Sequence, residues 1–142
     1  MRYGINLLLW TASLQANEVH LLAKARRMGF DGVELPLFAP EATPARAIRR
    51  ALDSEGLGAT AVAVVPPEAN PIAEDADVRR AGVDHLRRAI EVSAEIGIEV
   101  LAGPLYSPVG RLVGRARTAE EWGWCVEAMR AAAQFAADGG VL

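Results

Sequence analysis

Cysteine is scarce in this sequence, and an excess of charge of one sign is absent. Cys125 is the single cysteine among 142 residues, which excludes an internal disulfide and a cysteine-based zinc cluster and is typical of a reducing compartment. Lysine and arginine number 15 against 18 acidic residues, a formal net charge of −3. No overall field therefore attracts nucleic acid or an anionic membrane surface, and we expect neither as a partner.

Long apolar runs are absent as well. No stretch approaches the ~18 consecutive apolar residues that a membrane-spanning helix needs. The apolar run at residues 5–10 is too brief for a signal peptide and has no small-residue cleavage site after it. The sequence predicts no membrane association, and a cytoplasmic location is the expectation.

Signatures of phosphate, metal and triad chemistry are also missing. Residues 10–13 read WTAS, where a nucleotide-binding fold would carry a glycine-rich turn. His20 and His85 each fall inside a predicted helix, so surface or packing roles are expected for both. Neither has the spacing of a metal-binding pair, and no Ser-His-Asp set can be assembled. We therefore predict no catalytic residue and no metal ligand within the chain.

An arginine-rich loop joins the last two predicted elements. Arg111, Arg115 and Arg117 could pair with an anionic substrate, although a solvated basic surface is the commoner explanation of such a cluster. The glycines at 110 and 114 fit a flexible lid better than a phosphate loop.

The rest of the sequence repeats one unit: a short apolar run, a loop, an amphipathic helix and a glycine. Near-continuous apolarity over five or six residues is typical of parallel strands buried on both faces. The predicted strands are residues 5–10, 32–37, 60–65 and 98–102. The predicted helices begin at Asn17, Thr43–Pro44, Asp75 and the capping box Thr118–Glu121, and end near Gly29, Gly56, Gly97 and Gly139. The last helix is expected to bury Trp122, Val126, Met129 and Ala133.

This succession of βα units predicts an α/β fold with a parallel sheet and right-handed crossovers. A doubly wound sheet and part of a (β/α)8 TIM barrel both satisfy it. Gly140-Val141-Leu142 looks like the start of a fifth strand, and a whole barrel takes about 250 residues. We treat residues 1–142 as a single partial domain.

Candidate binding residues lie where the predicted strands end. Asn6, Trp10, Glu34, Ala63 and the loop of residues 103–109 would converge on one face of the sheet. A carboxylate inside an apolar strand needs a partner, so Glu34 could bind a sugar hydroxyl, orient another group or serve as a structural acceptor. An indole beside small residues suits a polyol, and Trp10 as a core residue is an equally serious interpretation.

Three segments resemble the D-tagatose 3-epimerase-like ketose epimerases. They are Tyr3–Asn6, Met28–Leu35 and Ala102–Pro108, and residues 78–97 are also similar to the third barrel helix of that family. These enzymes belong to the sugar phosphate isomerase/epimerase group with the xylose-isomerase-like TIM barrel. The resemblance covers the first half of the family's length, and it implies a half barrel of about four βα units.

The resemblance implies a divalent metal (Mn, Mg or Co) and C3 epimerisation of a free ketose, in which one glutamate removes the proton and another returns it. The family's metal ligands follow strands five to eight, which this sequence does not contain. What remains is a substrate wall, and a homo-oligomer is expected. The candidate substrate-binding residues are Asn6, Trp10, Glu34, Ala63, Pro104, Tyr106 and Val109. Asn6 and Val109 stand where the family carries aromatic residues.

Other readings stay open. The chain could belong to a hydroxypyruvate isomerase-like or inosose dehydratase-like enzyme, whereas an endonuclease IV-like function lacks a basic stripe with interleaved aromatics. It could also be a non-catalytic half barrel that assembles by pairing, because two open sheet edges favour association. Alone, the chain is expected to be inactive as an epimerase.

Overall fold

The computed structural model describes all 142 residues as four consecutive βα units on one parallel sheet. The strands are β1 (Gly4–Asn6), β2 (Gly32–Pro36), β3 (Gly58–Val62) and β4 (Leu101–Ala102), paired in chain order. The helices are α1 (His20–Arg27), α2 (Ala45–Glu55), α3 (Ala76–Ile96) and α4 (Ala119–Gly139). A doubly wound sheet reverses its strand order at a switch point, so the unbroken order favours the barrel.

The hydrophobic core lies between one face of the sheet and the helices. Val33, Leu35 and Ala61 point into it from the strands and meet Ile48 of α2 and Val92 of α3. A second, smaller cluster joins α3 to α4. Alternate strand residues face the other way, and no helix of this chain covers that inner face. Most inner-face strand residues are therefore only partly buried or exposed, with Pro36 as a buried exception.

The first predicted strand is wrong over residues 7–10. β1 ends at Asn6, and Leu7–Leu9 form a turn of 3-10 helix. The Asn6 side-chain oxygen accepts the N–H of Leu8 at 2.8 Å, which gives the backbone a local alternative to the strand ladder. The apolar run thus contains the end of a strand, where Ile5 is buried, and a helical turn, in which only Leu7 is buried.

The first helix also begins later than predicted. Asn17 is not its N-cap, because it lies within a separate 3-10 turn, Ala16–Glu18. That turn is closed by the Glu18 carboxylate, which accepts the N–H of Gln15 at 2.9 Å. Regular α1 starts at His20.

Of the predicted starts of α2 and α4, the first is wrong and the second is confirmed. Thr43 does not cap α2: its hydroxyl donates to the Ala39 carbonyl at 3.1 Å, and Pro44 occupies the cap position. The capping box of α4 is confirmed, because Thr118 accepts the N–H of Glu121 at 3.1 Å and the Glu121 carboxylate accepts the N–H of Thr118 at 2.7 Å.

The predicted buried face of α4 is displaced. Ala128 and Ala132 are its buried residues, and Ala132 packs into the cluster shared with α3. Trp122 and Ala133, predicted to be inside, are exposed. α3 is the neighbouring helix in this chain, so contact with it decides which side of α4 is buried.

Residues 140–142 continue the sheet. The N–H of Leu142 donates to the Glu99 carbonyl at 2.7 Å, and its own carbonyl accepts the N–H of Leu101 at 2.9 Å. Val141 is buried in the smaller cluster. This segment therefore lies beside β4 where a fifth parallel strand would begin. None of the helices combines the length and apolarity that crossing a membrane requires.

Candidate functional site

Asn6 and Glu34 form a contact on the inner face of the sheet. They are paired in register on β1 and β2, and Thr60 of β3 stands in the same row. The amide Nδ2 of Asn6 donates to Oε2 of Glu34 at 2.5 Å, while the Asn6 oxygen holds the Leu8 N–H. The partner that the Glu34 carboxylate needs is therefore another predicted site residue.

A row of glycines leaves space below this contact. Gly4, Gly32 and Gly58 are aligned in register two residues before the Asn6–Glu34 row. A Cβ on Gly32 would lie 2.9 Å from the Gly58 carbonyl oxygen, so the strands require glycine at this crossing. The open space has a volume of about 440 Å³. Glu34 is one of the residues that line this space, which lies at the amino-terminal ends of the strands, and its Oε1 makes no hydrogen bond within the chain.

Two predicted site residues lie on the other side of the sheet. Trp10 is half-buried against the main core, and the Lys24 ammonium lies 4.1 Å from the centre of its ring. Ala63 is completely buried in the same core, with its N–H donating to the Ala102 carbonyl at 2.9 Å. Neither side chain joins the Asn6–Glu34 contact.

The loop after β4 carries the remaining predicted residues. Pro104 is half-buried, whereas Tyr106 and Val109 are exposed. The loop leaves the sheet through Gly103, whose φ is +133° and whose added Cβ would lie 2.1 Å from the Ala63 carbonyl oxygen. Glycine at this position lets the loop pass directly over β3.

Tyr106 also lines an apolar groove that sequence reasoning missed. The groove has a volume of about 410 Å³, and its walls include Trp122, Cys125 and Met129 of α4 and Ile72 from the loop after β3. Their i, i+3, i+7 spacing on α4 was the available signal.

The arginine loop is largely engaged within the chain. Arg115 makes two hydrogen bonds of 2.9 Å to the carboxylate of Glu121, and these lower the pKa of Glu121 to about 2. The same pair raises the pKa of Arg115. Arg117 stacks over Trp122 at 4.3 Å. Of the three arginines, only Arg111 makes neither an ion pair nor an aromatic contact, so the cluster is not arranged around an anion.

Neither histidine lies at the inner face. The Nδ1 atom of His20 is 2.9 Å from the Asn17 carbonyl, and the Nε2 atom of His85 is 2.9 Å from the Val64 carbonyl. Nowhere do three histidine, cysteine, aspartate or glutamate side chains gather as metal ligands. The residues present do not fit a divalent metal centre.

Asn70 is a buried polar residue that sequence reasoning missed. It follows β3, is fully buried, and has a side-chain nitrogen without a hydrogen-bond partner. Its oxygen accepts the N–H of Ile72 at 3.2 Å. The available sequence signal was its position between two loop prolines, Pro67 and Pro71.

Comparison with known proteins shows which family this chain resembles. A family model for the xylose isomerase-like TIM barrel matches residues 22–142. The ketose 3-epimerase of Arthrobacter globiformis is 32% identical over 120 residues, which are 84% of this chain and 42% of that protein. The crystal structure of D-allulose 3-epimerase from Methylomonas sp., in complex with D-allulose, matches with a TM-score of 0.91 at 27% identity, over 99% of this chain and 49% of that one. An L-ribulose 3-epimerase structure matches with a TM-score of 0.88 at 28% identity, over 99% of this chain and 47% of that one.

The chain spans between 40% and 49% of the length of the curated relatives that it matches. Its four βα units therefore correspond to half of an eight-stranded barrel, which confirms the barrel reading over the doubly wound one. The chain belongs to the xylose isomerase-like TIM barrel family, in which its relatives are ketose 3-epimerases.

Proposed function

We propose that the chain provides the first half of a ketose 3-epimerase barrel, and that its inner sheet face forms one wall of the sugar site. The observation that carries this proposal is the likeness of nearly the whole chain to ketose 3-epimerases, one of them with D-allulose bound. A small-molecule ketose is accordingly the proposed ligand.

The Asn6–Glu34 contact supplies the polar part of the wall. The amide holds one carboxylate oxygen at 2.5 Å and leaves the other to accept a sugar hydroxyl. Closing the barrel would remove water from this face, which strengthens such charge-assisted hydrogen bonds. In this role Glu34 accepts a hydroxyl group and orients the sugar.

The apolar part of the wall comes from the loop after β4. Pro104, Tyr106 and Val109 follow the strand end, where ligand-binding residues of barrels lie. Trp10 and Ala63 lie in the core behind the sheet and support the wall from there. The aromatic ring of Tyr106 is suited to the C–H face of a sugar.

Proton transfer needs more than this chain offers. Epimerisation at C3 removes the proton beside the ketone on one face and returns one on the other, which takes two positioned acid–base groups. Glu34 is the sole acidic residue within the four strands. We assign both acid–base groups, and any divalent metal (Mn, Mg or Co), to residues outside this chain.

Deuterium exchange tests the proposal. D-fructose or D-tagatose is incubated in D2O with Mn²⁺ and the 142-residue chain, and the C3 proton is followed by NMR. We expect no exchange of the C3 proton. In a separate saturation-transfer experiment we expect transfer from the protein to the ketose. This transfer should weaken in Glu34→Gln and stay unchanged in the exposed control Glu41→Gln. Exchange above the protein-free rate would overturn the assignment of the acid–base groups. If saturation transfer is absent, or is unaffected by Glu34→Gln, the proposal that the inner sheet face binds the sugar would be overturned.

A further inference from the structure

Arg79, near the start of α3, joins three parts of the chain. Its Nη1 atom donates to the Ala73 carbonyl at 2.7 Å and to the Glu74 carbonyl at 2.8 Å, both in the loop between β3 and α3. Its guanidinium carbon lies 4.2 Å from the centre of the Trp124 ring of α4. Arg79 forms no ion pair with a carboxylate, whereas the next residue, Arg80, does. Its charge therefore holds backbone carbonyls and an aromatic ring in a fixed arrangement.

The loop between β3 and α3 (residues 63–75) packs tightly on α3. A Cβ on Gly82 of α3 would lie 2.7 Å from the Ala69 carbonyl oxygen and 2.9 Å from the backbone nitrogen of Pro71. Asn70, between these two loop residues, is completely buried. Because the loop backbone touches the helix directly, this loop and α3 form one rigid unit.

Arg79 links this unit to the first half of α4. The smaller core cluster joins the two helices farther along, through Leu86 and Ile90 of α3 and Ala132 of α4. Trp124 lies nearer the start of α4, so its stacking on Arg79 sets how closely that end of the helix approaches the loop.

The space between the loop after β3 and the start of α4 is the apolar groove that Tyr106 lines. Ile72 lines it from the loop. Trp122 and Cys125, on either side of Trp124 in the sequence, line it from α4. Tyr106 is 56% exposed, so its ring rests on the groove on one side only. The direction of the ring therefore depends on the separation of the two walls of the groove.

We propose that Arg79 is a positioning residue for the sugar wall. Its guanidinium sets the separation of the loop after β3 from α4, and through this separation the direction of the Tyr106 ring. Its effect on the sugar rests on the proposed function, in which Tyr106 faces the C–H side of a ketose. Only a planar guanidinium can donate to both carbonyls while it stacks on an indole, so lysine should not substitute for arginine at this position.

NMR spectroscopy of the protein in its natural full length, with and without D-fructose, tests this role. In the absence of sugar, Arg79→Lys and Arg79→Ala are expected to shift the ring resonances of Tyr106 and the methyl resonances of Ile72. Both variants should also weaken D-fructose binding by about threefold or more in apparent Kd. Arg80→Ala removes the adjacent arginine, which pairs with Asp77 and not with the loop, and it should change neither the resonances nor the affinity.

Two further measurements separate positioning from a general loss of stability. Methylguanidinium, added to Arg79→Ala below denaturing concentrations, should return the Tyr106 resonances towards their wild-type positions, because it restores the missing group and not the stability of the fold. Circular dichroism establishes that each variant is folded. If Arg79→Ala is not, Trp124→Leu, which removes the stacking partner and keeps both hydrogen bonds, takes its place.

Tyr106 resonances that stay unchanged in the Arg79 variants would overturn the positioning role, and so would an equal shift in Arg80→Ala. A shift of these resonances without a change in D-fructose affinity would overturn the effect on the sugar wall. If the wild-type protein binds no ketose, the proposed function fails and the effect on the sugar fails with it. The resonances recorded without sugar then still decide, separately, whether Arg79 positions Tyr106.

Discussion

The amide nitrogen of Asn6 lies 2.5 Å from the carboxylate oxygen of Glu34, across the junction of the first two strands. This contact joins two residues that are 28 positions apart in sequence, and it fixes the polar group of the inner face. Its dependence on an amide donor can be tested without changing the shape of the side chain.

Asn6→Asp replaces the donor with a second carboxylate. Like charges at this distance disfavour joint ionisation, and we expect a loss of about 1–3 kcal/mol in the free energy of unfolding at neutral pH. The repulsion raises a carboxyl pKa in the folded variant, so the loss should shrink as pH falls through that raised pKa and the carboxyl takes up a proton. Urea unfolding at neutral and at acidic pH measures this loss of stability. The exposed control Asn17→Asp should change the free energy of unfolding little. If Asn6→Asp lowered the free energy of unfolding by no more than this control does, the Asn6–Glu34 contact would be contradicted.

Glu121→Gln tests the pair with Arg115 at the start of α4. The pKa of Glu121 is lowered from 4.5 to about 2, first by the Arg115 hydrogen bonds and next by the Thr118 N–H. A depressed carboxyl pKa stabilises the fold above the unfolded value and loses that contribution as pH falls through the folded value. The wild-type advantage over Glu121→Gln should therefore decline between pH 4.5 and about 2. A difference that is constant across this window would show that the carboxylate is not paired.

Gly103→Ala tests the passage of the β4 loop over β3. The backbone φ is +133° and the new Cβ would meet the Ala63 carbonyl at 2.1 Å, so we expect a loss of about 1–3 kcal/mol. Gly123→Ala is the matched control, because nothing lies within 4 Å of its Cβ in α4. Removing a glycine from a helix should stabilise the fold by about 0.5–1 kcal/mol. Thermal unfolding of the two variants should thus shift in opposite directions, and a shift in the same direction would contradict the loop geometry.

The succession of βα units could be predicted because each unit carries two local signals, an apolar run and a closing glycine, although the N-caps predicted at Asn17 and Thr43 were wrong. Gly56 and Gly97 do end α2 and α3. The strand ends could not be predicted so closely. Asn6 satisfies a neighbouring backbone N–H and stops β1, although the apolar run continues past it.

Two candidate site residues, Trp10 and Ala63, pack in the core and not on the inner face. Trp10 does so because β1 gives way to a 3-10 turn before it, whereas Ala63 does so because of the geometry of its strand. Side chains alternate between the two faces of a strand, so Ala63 shares the core-facing side with Ala61. Sequence position at a strand end does not reveal which face a residue occupies until one inward residue, such as Glu34, is known. Which side of α4 is exposed depends on the helices that pack against it. The pattern of residues within α4 does not show which helices these are.

The substrate wall itself is tested most directly by adding D-fructose to the ¹⁵N-labelled chain and following its amide resonances. We expect shifts at Asn6, at Glu34 and within the loop of residues 103–109, with the surfaces of α2 and α3 unchanged. Glu34→Gln should diminish these shifts. Shifts confined to the helices, or no shift at saturating sugar, would contradict the proposal that the inner sheet face binds the sugar.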